Sequence, residues 1–243
     1  MEENNKMSLI DTIRRTLFVK PHPAGMPFIL GAAALSVVFI LLWKPLGIFT
    51  LILTCFIYYF FRDPVRMVPQ KDGLIVATAD GRVLAIKQNQ SLPDDLADED
   101  ADETYTKISI FLSVIDAHVN RVPVGGKIIK TFYYKGKFVN AELDKASLEN
   151  ERASALVKLE DGKLVGFSQI AGLVARRIIT TLTEDQNVET GEKFGIIRFG
   201  SRMDVYLPKG TNALVCEGQR AVGGETVLAD LTSIEESRSA KAL

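Results

Sequence analysis

Residues 196–208 read IIRFGSRMDVYLP, and this stretch indicates a β-rich fold. Two apolar runs with the composition of strands stand on either side of Gly200-Ser201-Arg202. A glycine inside a strand marks a bulge, a bend or the close approach of another backbone. The adjacent Ser201 carries a hydroxyl that becomes a nucleophile only when a base activates it. The stretch therefore has two interpretations, a β-bulge or a reactive Gly-Ser bond.

The segments around this stretch repeat the pattern of short β-like runs separated by turn signals. Residues 154–172 are interrupted by Asp161-Gly162, a strong hairpin signal. Residues 73–88 read as a strand, an Asp-Gly turn and a second strand, whereas residues 171–182 fit either a helix or a strand. We therefore predict that residues 63–243 form an α+β, β-dominated, hairpin-rich domain.

The composition of the chain excludes several classes of function. The formal net charge of −1 provides no field that would attract nucleic acid. Two cysteines and two histidines in 243 residues predict neither a disulfide scaffold nor a metal site. The acidic run at residues 91–104 lacks the spacing and the central glycine of a calcium-binding loop, so we expect a solvated loop there.

Two uncharged apolar runs stand near the N-terminus. Residues 26–43 and 46–61 contain no charged side chain, and Lys44-Pro45 separates them. Each run is close to the minimum length of a helix that crosses the hydrocarbon core of a membrane. We therefore predict a membrane-anchoring helical hairpin over residues 25–62, either as two spans or as a shallow re-entrant pair. The alternative is that both runs are buried helices of a soluble core.

Basic residues flank this hairpin on both sides. The positive-inside rule then places both ends in the cytoplasm, so we expect residues 63–243 on the cytoplasmic face of the cell (inner) membrane, beside anionic headgroups. Residues 1–24 form an amphipathic segment with apolar side chains at helical spacing. This segment fits an interfacial helix or a helix packed on the soluble domain. The flanking basic residues are Arg14, Arg15 and Lys20 before the hairpin, and Arg62, Arg66 and Lys71 after it.

Three polar residues among the apolar strands have side chains that could take part in catalysis. Asp80 precedes a glycine, His118 follows an apolar strand, and Ser201 follows Gly200. Taken singly, Asp80 reads as a turn residue and His118 as a structural histidine. Together they supply an acid, a base and a hydroxyl, which is the set that activates a serine nucleophile.

Seven motifs in this order resemble segments of the short, membrane-associated phosphatidylserine decarboxylase proenzymes. The Asp-Gly and Gly-Ser pairs are common by themselves, but the order and joint presence of all seven over residues 55–210 make the resemblance specific. The motifs are YYFFRDPVR, VATADGRV, FLSVIDAHVNRVPVGGKI, KGKFVNA, NER at 150–152, QIAGLVARRI and RFGSRMDVYLP.

The resemblance implies self-cleavage between Gly200 and Ser201, followed by decarboxylation of phosphatidylserine to phosphatidylethanolamine. In this chemistry Ser201 is the nucleophile and becomes the pyruvoyl cofactor, which forms a Schiff base with the substrate amine. His118 is the implied base, and Asp80 orients it. The large N-terminal β chain and the small C-terminal α chain remain together as a heterodimer, and we expect a dimer of these. No metal or nucleic acid is implied.

Two positions depart from the long-type relatives. Those relatives carry a second histidine three residues after the first, and a serine or threonine after the cleavage-site serine. Here Arg121 and Arg202 stand at these places. Either His118 serves both maturation and decarboxylation, or another group takes one role. For Arg202, a contact with the lipid phosphate and a pair with a carboxylate are both open.

Two other functions compete with the decarboxylase. A membrane-tethered β-domain acting as a non-enzymatic scaffold would keep an unbroken chain at Ser201. A serine hydrolase would use Ser201, His118 and Asp80, but the chain lacks the G-x-S-x-G elbow and the βα alternation of the α/β-hydrolases. The lipid substrate is favoured by the membrane hairpin.

Overall fold

The computed structural model describes residues 19–97, 104–142, 146–173, 177–198 and 200–241, without the side chain of Leu148. Positions 1–18 of the predicted amphipathic segment lie outside the described residues, as do positions 98–103 of the acidic run. The chain divides into two compact units, one that ends at Val65 and one that begins at Arg66.

The first unit is helical and the second consists mostly of strands. A 3₁₀ turn at Pro23–Gly25 leads into α1 (Met26–Leu42), which is followed by α2 (Lys44–Phe60). In the second unit, a single-turn helix, α3 (Ala146–Glu149), stands among thirteen described strands. The strands are β1 (Leu74–Val76), β2 (Gly81–Gln90), β3 (Tyr105–Leu112), β4 (Val119–Arg121), β5 (Gly126–Tyr134), β6 (Arg152–Lys158), β7 (Leu164–Ala171), β8 (Ile178–Thr180), β9 (Asn187–Val188), β10 (Lys193–Ile197), β11 (Ser201–Leu207), β12 (Arg220–Ala221) and β13 (Val227–Asp230).

The two long helices pack closely against each other. Trp43 is extended (φ −156°, ψ 102°) and interrupts the helical backbone, while the second residue of α2 is a proline, which is tolerated in a first turn. Gly47 allows the close approach, because a Cβ there would lie 2.4 Å from a side-chain atom of Ile40. The hydroxyls of Ser36 and Thr54 are 3.0 Å apart across the interface. The predicted N-terminal helical hairpin is confirmed.

The outer surface of this hairpin is apolar. Leu41, Leu42 and Phe49 are each more than 60% exposed, as is usual for side chains that face lipid rather than a protein core. Residues Pro23–Leu42 form one helical stretch of 20 residues with a mean hydropathy of 2.3, which is long and apolar enough to cross a membrane. The second helix, Lys44–Phe60, is shorter. Insertion into the membrane stays a prediction.

The basic residues that follow the hairpin have protein partners. The Arg62 guanidinium lies 3.9 Å from the ring centroid of Tyr59. Arg66 Nη2 is 2.6 Å from Asp80 Oδ2. Lys71 Nζ is 2.5 Å from an oxygen of Asp230, an ion pair that lowers the pKa of that carboxyl to about 2. These residues therefore contribute contacts within the protein, and their attraction to anionic lipid stays a prediction.

The described residues of the second unit form three antiparallel sheets. The largest has eight strands in the order β12-β2-β3-β11-β7-β6-β5-β9, the next has the order β4-β10-β8, and the third pairs β1 with β13. All three contribute buried apolar side chains to the main core, such as Ile75, Ile197 and Val205. The predicted β-dominated fold class is confirmed.

Local turn signals predicted some strand pairings but not others. The hairpin at Asp161-Gly162 is present, since β6 and β7 pair in register around a Gly162 that has φ +86°. The strands on either side of Asp80-Gly81 form as predicted, but β1 pairs with β13 and β2 pairs with β3 and β12. Residues 178–180, in the segment that fitted a helix or a strand, are strand β8.

Candidate active site

The Gly-Ser sequence lies where the chain passes from one sheet to another. β10 ends at Ile197 between β4 and β8, whereas β11 begins at Ser201 between β3 and β7. The β-bulge interpretation is therefore wrong, because the two apolar runs do not belong to one strand. Gly200 has φ +65°, in the left-handed region that glycine adopts without strain. The glycine is needed at this crossing for its backbone conformation.

Both polar groups of the Gly200 backbone are bound. Its carbonyl oxygen accepts a hydrogen bond from the Gly172 N–H, at an N···O distance of 3.1 Å. Its own N–H donates to Nε2 of His118, at 3.3 Å. The sequence placed His118 and Ser201 more than eighty positions apart, and the structure brings the histidine to the residue that precedes the serine. These two contacts hold the carbonyl next to Ser201 in a defined orientation.

The Ser201 hydroxyl is buried and has no hydrogen-bond partner among the described residues. The residue is 0% exposed, and it lies opposite Leu112 on one side and Ala171 on the other. An unpaired buried hydroxyl costs about 1–3 kcal/mol, and a catalytic role is one physical reason for retaining such a group. Complete burial does not favour the serine hydrolase alternative, because a hydrolase presents its nucleophile to an external substrate.

Hydrogen bonding defines the protonation of His118, which is completely buried. Its Nδ1 lies 3.0 Å from the carbonyl oxygen of Asp116. A carbonyl can only accept a hydrogen bond, so Nδ1 carries the proton and Nε2 is the acceptor. The acceptor nitrogen is the one that faces Gly200. The Nε2 of His118 therefore contacts the residue that precedes Ser201, and a role of this nitrogen as a base stays a prediction.

Asp116 fixes the loop that presents this carbonyl. Its Oδ2 accepts hydrogen bonds from the Ser113 N–H at 2.9 Å and from the Ser113 hydroxyl at 2.7 Å. Its Oδ1 accepts one from Arg220 Nη2 at 2.7 Å. Sequence reasoning missed this residue, although it lies two positions before His118 in the quoted motif. A short polar residue directly after the turn at residues 114–115 is the signal that could have identified it.

Asp80 is buried, but both of its oxygens have partners other than His118. Oδ2 binds Arg66, and Oδ1 accepts the Gly223 N–H at 2.9 Å. Strand β3 lies between β2 and β11, so about 10 Å separates the backbone at Asp80 from that at Ser201. The structure thus brings His118, but not Asp80, into contact with the Gly-Ser segment. A catalytic role for Asp80 stays a prediction.

The two arginines that depart from the long-type pattern have internal partners. The Arg202 guanidinium makes two 2.7 Å hydrogen bonds to the carboxylate of Asp204, and both side chains are buried. It also donates to Ser147 Oγ and, at 3.2 Å, to the carbonyl of Ala141. Arg121 donates to the carbonyl of Gly191 at 2.8 Å. In the uncut chain Arg202 therefore pairs with a carboxylate, which was one of its two open roles.

We expect Asp204→Asn to lower the free energy of unfolding by about 3–5 kcal/mol, because it leaves the buried Arg202 charge without its counter-ion. The change is best measured by urea unfolding in detergent micelles, in a Ser201→Ala background so that cleavage does not interfere. Asp185→Asn is the matched control: its pair with Lys127 is exposed and screened by solvent, so we expect this change to leave the free energy of unfolding nearly unchanged. Equal losses in the two variants would contradict the assignment.

Asn150 and Gly172 also lie at the site, although the sequence did not single them out. Asn150 is buried, and its Nδ2 donates to the carbonyl oxygens of Ala171 (2.7 Å) and Val139 (2.8 Å). It thereby fixes the end of β7, immediately before Gly172. Both residues belong to motifs quoted above, NER and QIAGLVARRI, but only the fold shows that these motifs meet at Gly200.

The structure defines a β-rich domain with a candidate active site around one glycyl-serine bond. The family model for phosphatidylserine decarboxylase matches residues 53–229. A phosphatidylserine decarboxylase proenzyme of Cereibacter sphaeroides is 49% identical over 93% of this chain and 96% of its own length. One of Nitrobacter winogradskyi is 50% identical over 86% of this chain and 83% of its own length. This chain belongs to the phosphatidylserine decarboxylase family of enzymes.

Proposed function

We propose that this chain cleaves itself between Gly200 and Ser201 and then converts phosphatidylserine to phosphatidylethanolamine. One observation carries the proposal: the buried Ser201 hydroxyl, which has no partner among the described residues, directly follows Gly200, whose carbonyl accepts the Gly172 N–H and whose own N–H donates to His118. The names of the two relatives support the substrate and the existence of a proenzyme.

In the proposed cleavage, Ser201 Oγ bonds to the carbonyl carbon of Gly200 and its proton passes to a base. The C–N bond to Ser201 then breaks, the nitrogen takes a proton, and an ester joins the two residues. Loss of the α-proton of residue 201 expels the Gly200 carboxylate and leaves dehydroalanine. Addition of water and release of ammonia complete the change to a pyruvoyl group and separate the β chain from the α chain.

His118 is the proposed base because its Nε2 is unprotonated and already faces the Gly-Ser segment. The carbonyl of Asp116 holds the ring in the required tautomer. We retain Asp80 as a member of the proposed set. Orientation of the His118 ring, the role predicted for Asp80, is supported for Asp116 instead.

The residues around position 201 fit a pyruvoyl group. The Ser201 hydroxyl, at the first residue of β11, is buried and bonds to no other described group. Its conversion to a pyruvoyl group would therefore break no hydrogen bond of that hydroxyl. The pyruvoyl carbonyl supplies an electron sink for the loss of carbon dioxide. Arg202, paired with Asp204, would hold the new N-terminus in place, and His118 would exchange a proton with the substrate.

Two arginines beside the site support an anionic lipid as substrate. Arg198 stands two residues before Gly200, and its backbone N–H donates to the carbonyl of Arg177 at 3.2 Å. Burial, and next the charge of Arg177, lower the pKa of Arg198. A phosphate would relieve the repulsion between these charges.

We further propose that the chain lies in the cell membrane with its catalytic unit in the cytoplasm, and that the cleaved αβ heterodimers form a dimer.

The substrate is tested with phosphatidylserine that carries a ¹⁴C label in its serine carboxyl group. We expect the purified full chain to release labelled carbon dioxide from mixed micelles. Treatment with phenylhydrazine, which reacts with ketones, should abolish the release. A cleaved protein that produces no carbon dioxide would contradict the substrate assignment while leaving self-cleavage intact.

A further inference from the structure

We propose that the backbone N–H of Gly172 is a catalytic group of the self-cleavage. It would donate a hydrogen bond to the negative charge that develops on the Gly200 oxygen when Ser201 attacks. The inference rests on the proposed function, because it concerns the same bond, and it adds the group that stabilises the transition state.

The large sheet holds this donor in place before the reaction begins. Ala171 lies opposite Ser201 in the antiparallel pairing of β7 with β11. The bond from Gly172 N to Gly200 O, 3.1 Å long, continues this pairing by one residue. A donor already fixed at that distance needs no rearrangement as charge develops, which is the basis of oxyanion stabilisation.

The peptide unit that carries the donor is bound at both ends. The Gly172 N–H and the Ala171 carbonyl belong to the same peptide group, and Asn150 Nδ2 donates to that carbonyl at 2.7 Å. A hydrogen bond to the carbonyl of an amide strengthens its N–H as a donor. Asn150 is therefore a positioning residue, which acts through the peptide unit that it polarises.

The space around Gly172 also indicates this role. A Cβ at this position would lie 2.3 Å from the Gly200 oxygen and 3.3 Å from Ala141 Cβ. Any side chain would force the two backbones apart and break the contact. Gly200 has open space around it and requires glycine for its φ angle, whereas Gly172 requires glycine for the approach of the carbonyl.

The electron pairs and the proton move in a defined order in the proposed step. As the Ser201 oxygen bonds to the Gly200 carbonyl carbon, the π electron pair moves to the carbonyl oxygen and the hydroxyl proton moves to His118. The Gly172 N–H stabilises this oxyanion. The electron pair then returns, the C–N bond breaks, and the nitrogen of residue 201 takes the proton. Removal of one such donor slows enzymes by about 10²–10³-fold.

The test replaces the amide of Gly172 by an ester, through incorporation of glycolic acid during cell-free synthesis of the full chain with lipid vesicles. This change removes the N–H and adds no atoms. The matched control is the same replacement at Gly210, an exposed turn glycine with no neighbouring atom within 4 Å of a Cβ position. The first-order rate of cleavage is measured on the protease-resistant, folded fraction.

We expect the ester at 172 to slow cleavage about 100-fold relative to the ester at 210. Equal rates in the two esters, with the unmodified chain cleaving normally, would overturn this inference alone. Failure of the unmodified chain to cleave would overturn the proposed function. If the 172 ester folds too rarely to be measured, Gly172→Ala decides: cleavage slowed to a similar extent supports the inference, and the unmodified rate overturns it.

Discussion

Replacement of Ser201 by alanine is expected to leave the chain uncut and to abolish the release of carbon dioxide from phosphatidylserine. The variant lacks the attacking oxygen, and without the ester that this oxygen forms, neither dehydroalanine nor the pyruvoyl group can arise. We expect the rate of cleavage to fall by at least about 10³-fold, because loss of the nucleophile removes most of the rate enhancement of a catalytic set. Intact-mass spectrometry of the full chain, with the radiolabel assay on the same sample, measures both losses.

The stability of this variant distinguishes lost chemistry from lost structure. The Ser201 hydroxyl is buried without a partner among the described residues, so its removal should leave the free energy of unfolding unchanged or raise it by about 1 kcal/mol. Ser168→Ala is the matched control, because Ser168 is also buried in a strand but bonds to Ser154 at 2.9 Å. We expect this control to cleave normally. Cleavage at residue 200 in the Ser201→Ala chain would contradict the account.

Replacement of His118 by alanine is expected to slow cleavage by about 10²–10⁴-fold, the usual contribution of a general base. The variant loses the Nε2 acceptor that faces Gly200 and leaves a cavity of imidazole size. Imidazole added to the buffer should restore part of the rate, which it would not do for a chain that had lost its structure. The rate is followed by the appearance of the small fragment on a gel.

The other histidine of the chain provides the control for this result. His22 lies in the helical unit, where its Nδ1 accepts a hydrogen bond from the Ala24 N–H at 3.2 Å. We expect His22→Ala to cleave at the unmodified rate. If His118→Ala also cleaves at that rate, a different group is the base.

Local patterns in the sequence predicted the elements better than their partners. The uncharged runs and the Asp161-Gly162 turn predicted the helical hairpin and the β6–β7 hairpin, because both features depend on residues that are close in the chain. The division of β10 and β11 between two sheets depends on strands far away in the sequence, and no short motif records that pairing.

At the candidate site, too, local sequence patterns predicted individual residues better than their contacts. His118 and Ser201 could be predicted because their chemistry and their motifs marked them. Asp80 was assigned to His118 by chemical analogy, but a carbonyl holds the ring, and a backbone carbonyl leaves no mark on the sequence. The donor at Gly172 is also a backbone group. Arg202 and Asp204 were within reach of prediction, because residues two apart in a strand share a face.

The most direct test of the account is the intact mass of the unmodified full chain purified from membranes. We expect two chains, residues 1–200 and residues 201–243, with the smaller one lighter by the mass of ammonia than a fragment that begins with Ser201. A single uncut chain of 26.8 kDa, or a small fragment that retains Ser201 as its N-terminus, would contradict it.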